Sequence, residues 1–440
     1  MTKRKWERGV SIIGCGMTKM GTVLDSPWLK GMTERELLAW AVMEAVQDAG
    51  IKIDDIDSIV VGQFQGDQMK TKCIHAIANS WLGLEGKPGY SLVHACGLAA
   101  AGITIAGNAI ASGMEDIVVV SATSITSAMF DEDFQRYRKH PGIRKPIPWE
   151  IHADYLYSGF DQAYDNPITG IGGPGFREIF TILQYAKKYH LTWEEIDDAL
   201  NGAAISLRRG AVIHPKSLVY GQDDFETMAK KAGFDDVFEY MKSPRHNPFV
   251  NWPLRKSNWK VMCDGAAAIV LCATEEASKY TSKTPIEVSG VYHTGGFPCP
   301  TTPDYNYHPI EEITVRRAYE MADLDPSEID YFGLHDFNLS WHLIDPEIAG
   351  YIPPGKSWKY LKDLETAFDG MKPIQTHGGE IHFGDCYDPA SIIDVIEAVQ
   401  QMRGECGERQ IHPVPKCAVI FGRGTGPVFG VTVLRRKEAL

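Results

Sequence analysis

The sequence predicts a layered α/β protein built from two related halves. Three observations predict it: apolar strand-like runs alternate with helical segments, an internal repeat links residues near 45 and 318, and two similar helix starts occur at Cys96 and Cys386. The run Ala45 to Val60 (AVQDAGIKIDDIDSIV) lies on Ala318 to Gly333 (AYEMADLDPSEIDYFG) at a constant shift. It matches Ala45 with Ala318, Ala49 with Ala322 and Ile56-Asp57 with Ile329-Asp330. Each copy reads as helix, polar turn and buried strand, and a strand opens each half, at Val10 to Ile13 and at Ile286 to Val291. Later, Cys96 opens a helix ending near Gly113 and leading to the strand Ile117 to Ser121. Cys386 precedes a helix ending near Gly404 and leading to the strand Cys417 to Phe421. Cys96 and Asp385-Cys386 are therefore expected at equivalent helix starts, with equivalent loops facing one another across a pseudo-dyad.

The remaining elements follow in chain order. A strand signal at Tyr90 to Val93 gives way to a Gly/Ala-rich buried helix from Gly97 to Ser112. Between Phe130 and Lys256 the pattern shifts to aromatics, prolines and glycines, including Trp149, Tyr155, Tyr157, Phe160, Tyr164 and Gly170 to Gly175. Within it Glu178 to Tyr189 has helical periodicity, and Thr192 with Glu195 forms a capping box for a helix from Trp193 to Gly210. Asp264-Gly265-Ala266-Ala267-Ala268 leads into the strand Ile269 to Cys272. These signals divide the chain into 1–129, the first part of the N-terminal half; 130–256, an inserted cap over its sheet; 257–280, the end of that half; and 281–440, the C-terminal half.

At 440 residues the chain has room for two or three domain-sized units. A net charge of −13 without a long basic block argues against nucleic acid as the main partner. No apolar run reaches the ~20 residues of a membrane span. Nine cysteines without a CxxC pair, and a charged start without a secretory signal, point to reduced thiols in a cytoplasm and to no zinc site.

Cys96, in Val93-His94-Ala95-Cys96-Gly97-Leu98, sits where a strand gives way to a helix. Unpaired first-turn N–H groups carry partial positive charge, which favours a thiolate and can hold an oxyanion. A thiol packed as a small hydrophobe is the competing account of such a residue.

Taken in order, several segments resemble the thiolase superfamily, particularly the thiolases related to sterol carrier protein and their archaeal and bacterial relatives. They are Ile12 to Gly21, the Cys96 segment, the Asp264 run, His335-Asp336-Phe337-Asn338, Gly378-Gly379 and Arg403-Gly404-Glu405. The resemblance covers almost the full length. It implies two βαβαβαββ halves in a five-layer αβαβα sandwich, and coenzyme-A-dependent cleavage of a 3-oxoacyl-CoA through an acyl group on Cys96. His335 matches the histidine of the family's HDCF motif, with a role at the thioester oxyanion. Coenzyme A is expected as a substrate, with no tightly bound cofactor and no metal. A homodimer working with a small OB-fold, zinc-ribbon protein is the expected assembly.

Two departures from the family pattern stand out. Gly384-Asp385-Cys386 replaces Gly-His-Pro, so the histidine that ordinarily activates the thiol is Asp385, whose charge opposes a nearby thiolate. His382, His94 and the helix start are the candidates for activation, with His382 preferred. Phe337 replaces the HDCF cysteine, and Ile420-Phe421-Gly422-Arg423-Gly424 lacks the cysteine of the CxG motif, so Cys386 is expected to exchange the Cα proton. The loop Gly422 to Gly426 lacks the Lys-Ser/Thr of a phosphate loop and is expected to line the thioester site, with Gly424 and Gly379 contacting substrate. Arg423 and the aromatic cap suit an acyl group bearing a ring or a carboxylate, as in cleavage of 2-benzoylsuccinyl-CoA to benzoyl-CoA and succinyl-CoA. Arg208, Arg209, Lys216 and Arg255 are candidates for the coenzyme A phosphates. The rival readings are a thiolase-like retro-aldolase acting on a steroid or similar acyl-CoA, and a non-catalytic scaffold.

Overall fold

A computed structural model describes residues 5–63, 73–127, 176–295, 309–424 and 428–436. The aromatics between Trp149 and Tyr164, Gly170 to Gly175, and Thr425 and Gly426 lie outside them. The chain begins with β1 (Val10–Met17), α1 (Glu34–Ala49), β2 (Ser58–Gly62), α2 (Ile74–Leu82), β3 (Gly89–Leu92), α3 (Leu98–Ala111) and β4 (Ile117–Ser124). Next come α4 (Phe176–Tyr189), α5 (Trp193–Ile213), α6 (Phe225–Lys231), α7 (Val237–Lys242) and the hairpin β5 (Phe249–Asn251) and β6 (Leu254–Arg255). They are followed by β7 (Gly265–Ala273), α8 (Ala277–Tyr280), β8 (Ile286–Gly295), α9 (Pro309–Ala322) and β9 (Tyr331–Leu334). The remainder is α10 (Ser340–Ile348), α11 (Ser357–Lys362), α12 (Gly379–His382), α13 (Asp388–Arg403), β10 (Cys417–Arg423) and β11 (Val428–Arg436).

Nine strands hydrogen-bond in the order β3-β2-β4-β7-β1-β8-β11-β10-β9. The seam between β1 and β8 is short, pairing only Ser11 with Glu287 and Ile12 with Ile286. On either side of it the order repeats: β1, β7, β4, β2 one way and β8, β11, β10, β9 the other. Neighbouring residues of a strand point to opposite faces. Ile12 of β1 therefore joins an apolar cluster with α3 and α13, while Ile13 joins another with α1. A third cluster packs α9 on β8, β10 and β11. Helices α3 and α13 thus form the central layer, the two halves of the sheet flank it, and α1 and α9 lie outside, giving five layers.

The repeated residues do the same work in both halves. A Cβ on Gly14 of β1 would stand 2.2 Å from the Ala45 carbonyl oxygen and 2.7 Å from Ala49 Cβ. One on Gly290 of β8 would stand 2.3 Å from the Ala318 carbonyl oxygen and 2.9 Å from Ala322 Cβ. Small residues on both surfaces let helix and strand approach closely. Asp57 Oδ2 accepts from the backbone N–H of Asp116 (2.8 Å) and Ile117 (2.9 Å); Asp330 Oδ2 accepts from Lys416 (2.8 Å) and Cys417 (3.1 Å). Each aspartate pins the start of its neighbouring strand. Arg403, at the end of α13, fastens one half to the other: its guanidinium donates to the Ile13 carbonyl (3.0 Å) and pairs with Asp48 (3.0 Å).

The described part of the inserted segment does not cover the first half's sheet as expected. Ile182, Tyr185, Leu200 and Leu207 of α4 and α5 bury against Leu339, Leu343, Leu361 and Ile381, all from the second half. The Thr192–Glu195 capping box opens α5. Two glycines along α5 explain its seat: a Cβ on Gly202 would lie 2.2 Å from the Leu361 carbonyl oxygen, and one on Gly210 2.0 Å from that of Thr376. The helix therefore lies directly on the backbone that leads into α12. Among the described residues no helix is long and apolar enough to cross a membrane.

Gly14→Ala and Gly290→Ala should each destabilise the protein by roughly 1–3 kcal/mol through overpacking of a backbone contact. Chemical denaturation reads this directly, and an unchanged midpoint for either variant would contradict the close-approach account.

Candidate active site

Cys96 lies in a single turn, Ala95–Gly97, between β3 and α3, and is 2% exposed. Ala95 has φ of +45°, a left-handed conformation uncommon for a residue with a side chain. The end of β10 closes on this turn: a Cβ on Gly424 would lie 2.8 Å from Ala95 Cβ and 3.3 Å from the Cys96 nitrogen, and one on Gly422 3.2 Å from the Cys96 carbonyl oxygen. The Ala99 N–H donates to Ser391 Oγ on α13 at 3.1 Å, which ties the two central helices together beside the cysteine.

His335, at the end of β9, faces the thiol. Its Nδ1 stands 3.1 Å from Glu380 Oε1, which leaves Nε2 for Cys96. Glu380 is held in turn by a reciprocal pair of hydrogen bonds: the Asp336 N–H donates to Glu380 Oε2 (2.8 Å), and the Glu380 N–H donates to Asp336 Oδ1 (2.7 Å). Asp336 Oδ2 lies 2.7 Å from His342 Nε2. Burial works against charge on His335, but Cys96 and Glu380 together raise it well above an ordinary histidine. Glu380 stays below the usual carboxylate range: burial opposes its charge, and His335 and Asp336 outweigh that. Burial and the Glu380 charge push both Asp336 and Asp394 well up, which favours their neutral forms. Ligand atoms of His335, Glu380 and Asp394 come within 4.8 Å of one another, close enough for a cation. The Gln375 amide donates to Asp394 at 2.9 Å.

A second charge pair lies on the other side of Cys96. Lys260 Nζ pairs with the buried Asp385 carboxylate and stands 4.4 Å from the centre of the Tyr387 ring. The Tyr387 N–H donates to Asp385 Oδ1 at 2.7 Å. Burial holds the Cys96 thiol above its ordinary value; His335 and Lys260 act in the opposite sense, and Asp385 adds to burial. Burial would lower Lys260, but Asp385 and Cys96 raise it. Glu380, His335, Cys96, Lys260 and Asp385 therefore form a row of alternating charge when Cys96 is a thiolate. Asp385, at the place of the family histidine, acts through the lysine that neutralises it.

The structure brings Cys96, His335 and Asp385 together, with Gly424 and His94 against the Cys96 turn, and gives other expected residues different partners. Cys386 is fully buried against Cys263, and burial and that neighbour push its thiol well up. The shift that lays Gly113 on Gly404 lays Cys96 on Tyr387, one residue past Cys386, and it is Tyr387 that feels the Cys96 charge. His382 packs on Phe225 with ring centres 5.3 Å apart; burial and Arg208 hold it down to about 3. His94 stacks edge-on with His293 at 5.1 Å; burial and that partner hold it down to about 4. Gly379 has φ of +59° and a Cβ there would stand 2.3 Å from Asp336 Oδ2, so it secures the Glu380 loop.

The expected cations are also engaged. Arg423 pairs with Glu311 (2.6 Å) and Asp345 (2.7 Å) and lies over Trp341, so internal carboxylates occupy the place expected for a substrate's. Arg208 donates to the Asp223 carbonyl at 3.1 Å, Arg209 pairs with Glu226 at 2.6 Å, Arg255 grips Asp197 at 2.7 and 2.8 Å, and Lys216 pairs with Glu44. Sequence reasoning missed Lys260, Glu380 and Tyr387. Glu380, directly after Gly378-Gly379, had a local signal; Lys260 had none.

Glu380→Gln should lower the rate of Cys96 acylation about 10- to 100-fold, the scale of a disturbed acid–base group. Loss of the carboxylate lowers His335, so the alkaline limb of the pH profile should move to lower pH. Quench-flow mass spectrometry across pH reads both effects; an unmoved limb would remove Glu380 from the relay.

Comparison with known proteins bears on the whole chain. The family model "Thiolase, N-terminal domain" matches residues 10–145, and "Thiolase C-terminal domain-like" matches residues 301–434. An acetyl-CoA acetyltransferase of Methanothermobacter thermautotrophicus is 24% identical over 435 residues, covering 98% of this chain and 100% of that one. The benzoylsuccinyl-CoA thiolase subunit BbsB of Thauera aromatica is 30% identical over 166 residues, 38% of this chain and 43% of its own. Among solved structures, the Ltp2-ChsH2(DUF35) aldolase shares the fold, with a TM-score of 0.74 at 18% identity, covering 97% of this chain and 98% of that one. The chain belongs to the thiolase family and is an acyltransferase.

Proposed function

We propose that the protein catalyses coenzyme-A-dependent cleavage of a 3-oxoacyl-CoA, with the acyl group carried on Cys96. The observation that carries this reading is the Glu380–His335–Cys96 row at the start of α3. A carboxylate orients an imidazole, and the imidazole takes the proton of a thiol otherwise kept neutral by burial. The backbone of the Cys96 turn supplies the oxyanion surroundings; the Gly424 N–H donates to the Val428 carbonyl (3.2 Å). Coenzyme A then attacks the Cys96 thioester and leaves with the acyl group.

For substrate we propose 2-benzoylsuccinyl-CoA, giving benzoyl-CoA and succinyl-CoA. Its support is the 30% identity to BbsB over part of the chain. We further propose a homodimer that works with a small OB-fold, zinc-ribbon protein; the solved neighbour of this fold, the Ltp2-ChsH2(DUF35) aldolase, supports a small partner. The same neighbour supports a retro-aldol alternative, as does the burial of Cys386 against Cys263.

Incubated with 2-benzoylsuccinyl-CoA, the protein should show a benzoyl adduct on Cys96 by mass spectrometry, and product should form only when free coenzyme A is present. Cys96→Ala should lose the adduct and at least about 10³-fold in rate, as expected when a nucleophile is removed. Cleavage without coenzyme A and without an adduct would favour the aldolase.

A further inference from the structure

The proposed reaction needs two proton carriers, one for the thiol and one for the carbon that leaves as an enolate. His335, with Glu380 on Nδ1, is committed to the thiol. Cys386 is turned to Cys263, His382 to Phe225 and His94 to His293. The segment carrying Lys260 is stitched between the two segments that build the site. Lys260 N–H donates to the Phe337 carbonyl (3.1 Å), Val261 N–H to the Glu380 carbonyl (3.1 Å), and Asp385 N–H to the Val261 carbonyl (2.7 Å). The Lys260 side chain is 19% exposed while its partner Asp385 is fully buried, and the ammonium lies beside the Tyr387 ring.

Resting on the thiolase reading, we propose that Lys260 is the acid/base that carries the Cα proton, held in place by Asp385 and Tyr387. The Cys96 thiolate adds to the ketone carbon, forming the C–S bond. Collapse of the oxyanion breaks the bond between C2 and C3, and the electron pair passes into the thioester enolate of the departing acyl-CoA. The Lys260 ammonium gives a proton to C2, which completes that product and leaves a neutral amine. Incoming coenzyme A transfers its thiol proton to the amine; its thiolate attacks the Cys96 thioester, and the C–S bond breaks to release the second acyl-CoA and the Cys96 thiolate. His335, once it has taken the Cys96 proton, stays protonated through these steps and balances the sulfur charge.

Lys260→Arg separates proton transfer from charge. Arginine keeps the ion pair with Asp385 but does not deprotonate in proteins. The test follows deuterium uptake at the α carbon of acetyl-CoA and of succinyl-CoA in D2O, and in parallel the acylation of Cys96 by intact mass spectrometry. The Arg variant should lose at least about 100-fold in α-exchange, the scale of a lost general acid–base, while alkylation of Cys96 by iodoacetamide keeps its wild-type pH dependence because the cation near the sulfur remains. Lys260→Met should lose exchange and also slow acylation, because the cation favouring the thiolate is gone. An Arg variant that exchanges like the wild type would make Lys260 a counter-ion to Asp385 and overturn the proposal. A wild type that neither acylates Cys96 nor exchanges would instead overturn the thiolase reading beneath it.

Discussion

Everything at this site depends on keeping several charges out of water at once. An isolated ion in a protein interior costs several kcal/mol after relaxation, and one partner seldom repays it. Here the answer is alternation: Glu380 meets His335, His335 faces Cys96, and Cys96 feels the charge of Lys260, which pairs with Asp385. Each group has an opposite charge on one or both sides, so no single removal is local. The Asp336–Glu380 reciprocal hydrogen bonds anchor one end, and the Asp385–Tyr387 hydrogen bond anchors the other.

This arrangement accounts for the replacement of the family histidine. An aspartate alone at position 385 would repel the thiolate; an aspartate with a buried-side lysine presents a cation instead. On the proposed reading the activating histidine is His335, and its carboxylate comes from the loop Gly378–Glu380, on which α5 rests. The described part of the inserted segment thus supports the Glu380 loop through backbone contacts. Its glycines allow the backbone approach that fixes where Glu380 stands.

What could be read from the sequence was whatever repeats or follows local chemistry. Asp57 and Asp330 pin equivalent strands, the Ala45/Ala49 and Ala318/Ala322 pairs receive equivalent strand glycines, and Thr192 caps α5. Cys96 and His335 came from motif positions and meet in the fold. Lys260 was invisible because its role comes from pairing with residues over 70 positions away, through a strand-like segment that no periodicity marks. Cys386 was misplaced by one residue: a helix start is legible to within a residue or two, and one residue changes which way a side chain faces. The seat of the cap was misread because apolar helix faces do not name their partner.

Arg403 has a further consequence. The residues of the row come from both halves of a duplicated chain, and the seam between β1 and β8 is only two residue pairs long. The α13 helix is a rod of about 24 Å at ~1.5 Å per residue, with Asp385 and Tyr387 at its start and the Arg403 clamp at its far end. The clamp works as an alignment pin: it fixes one end of the rod against the first half, so the placing of Asp385 beside the Cys96 turn is shared with a contact a helix length away.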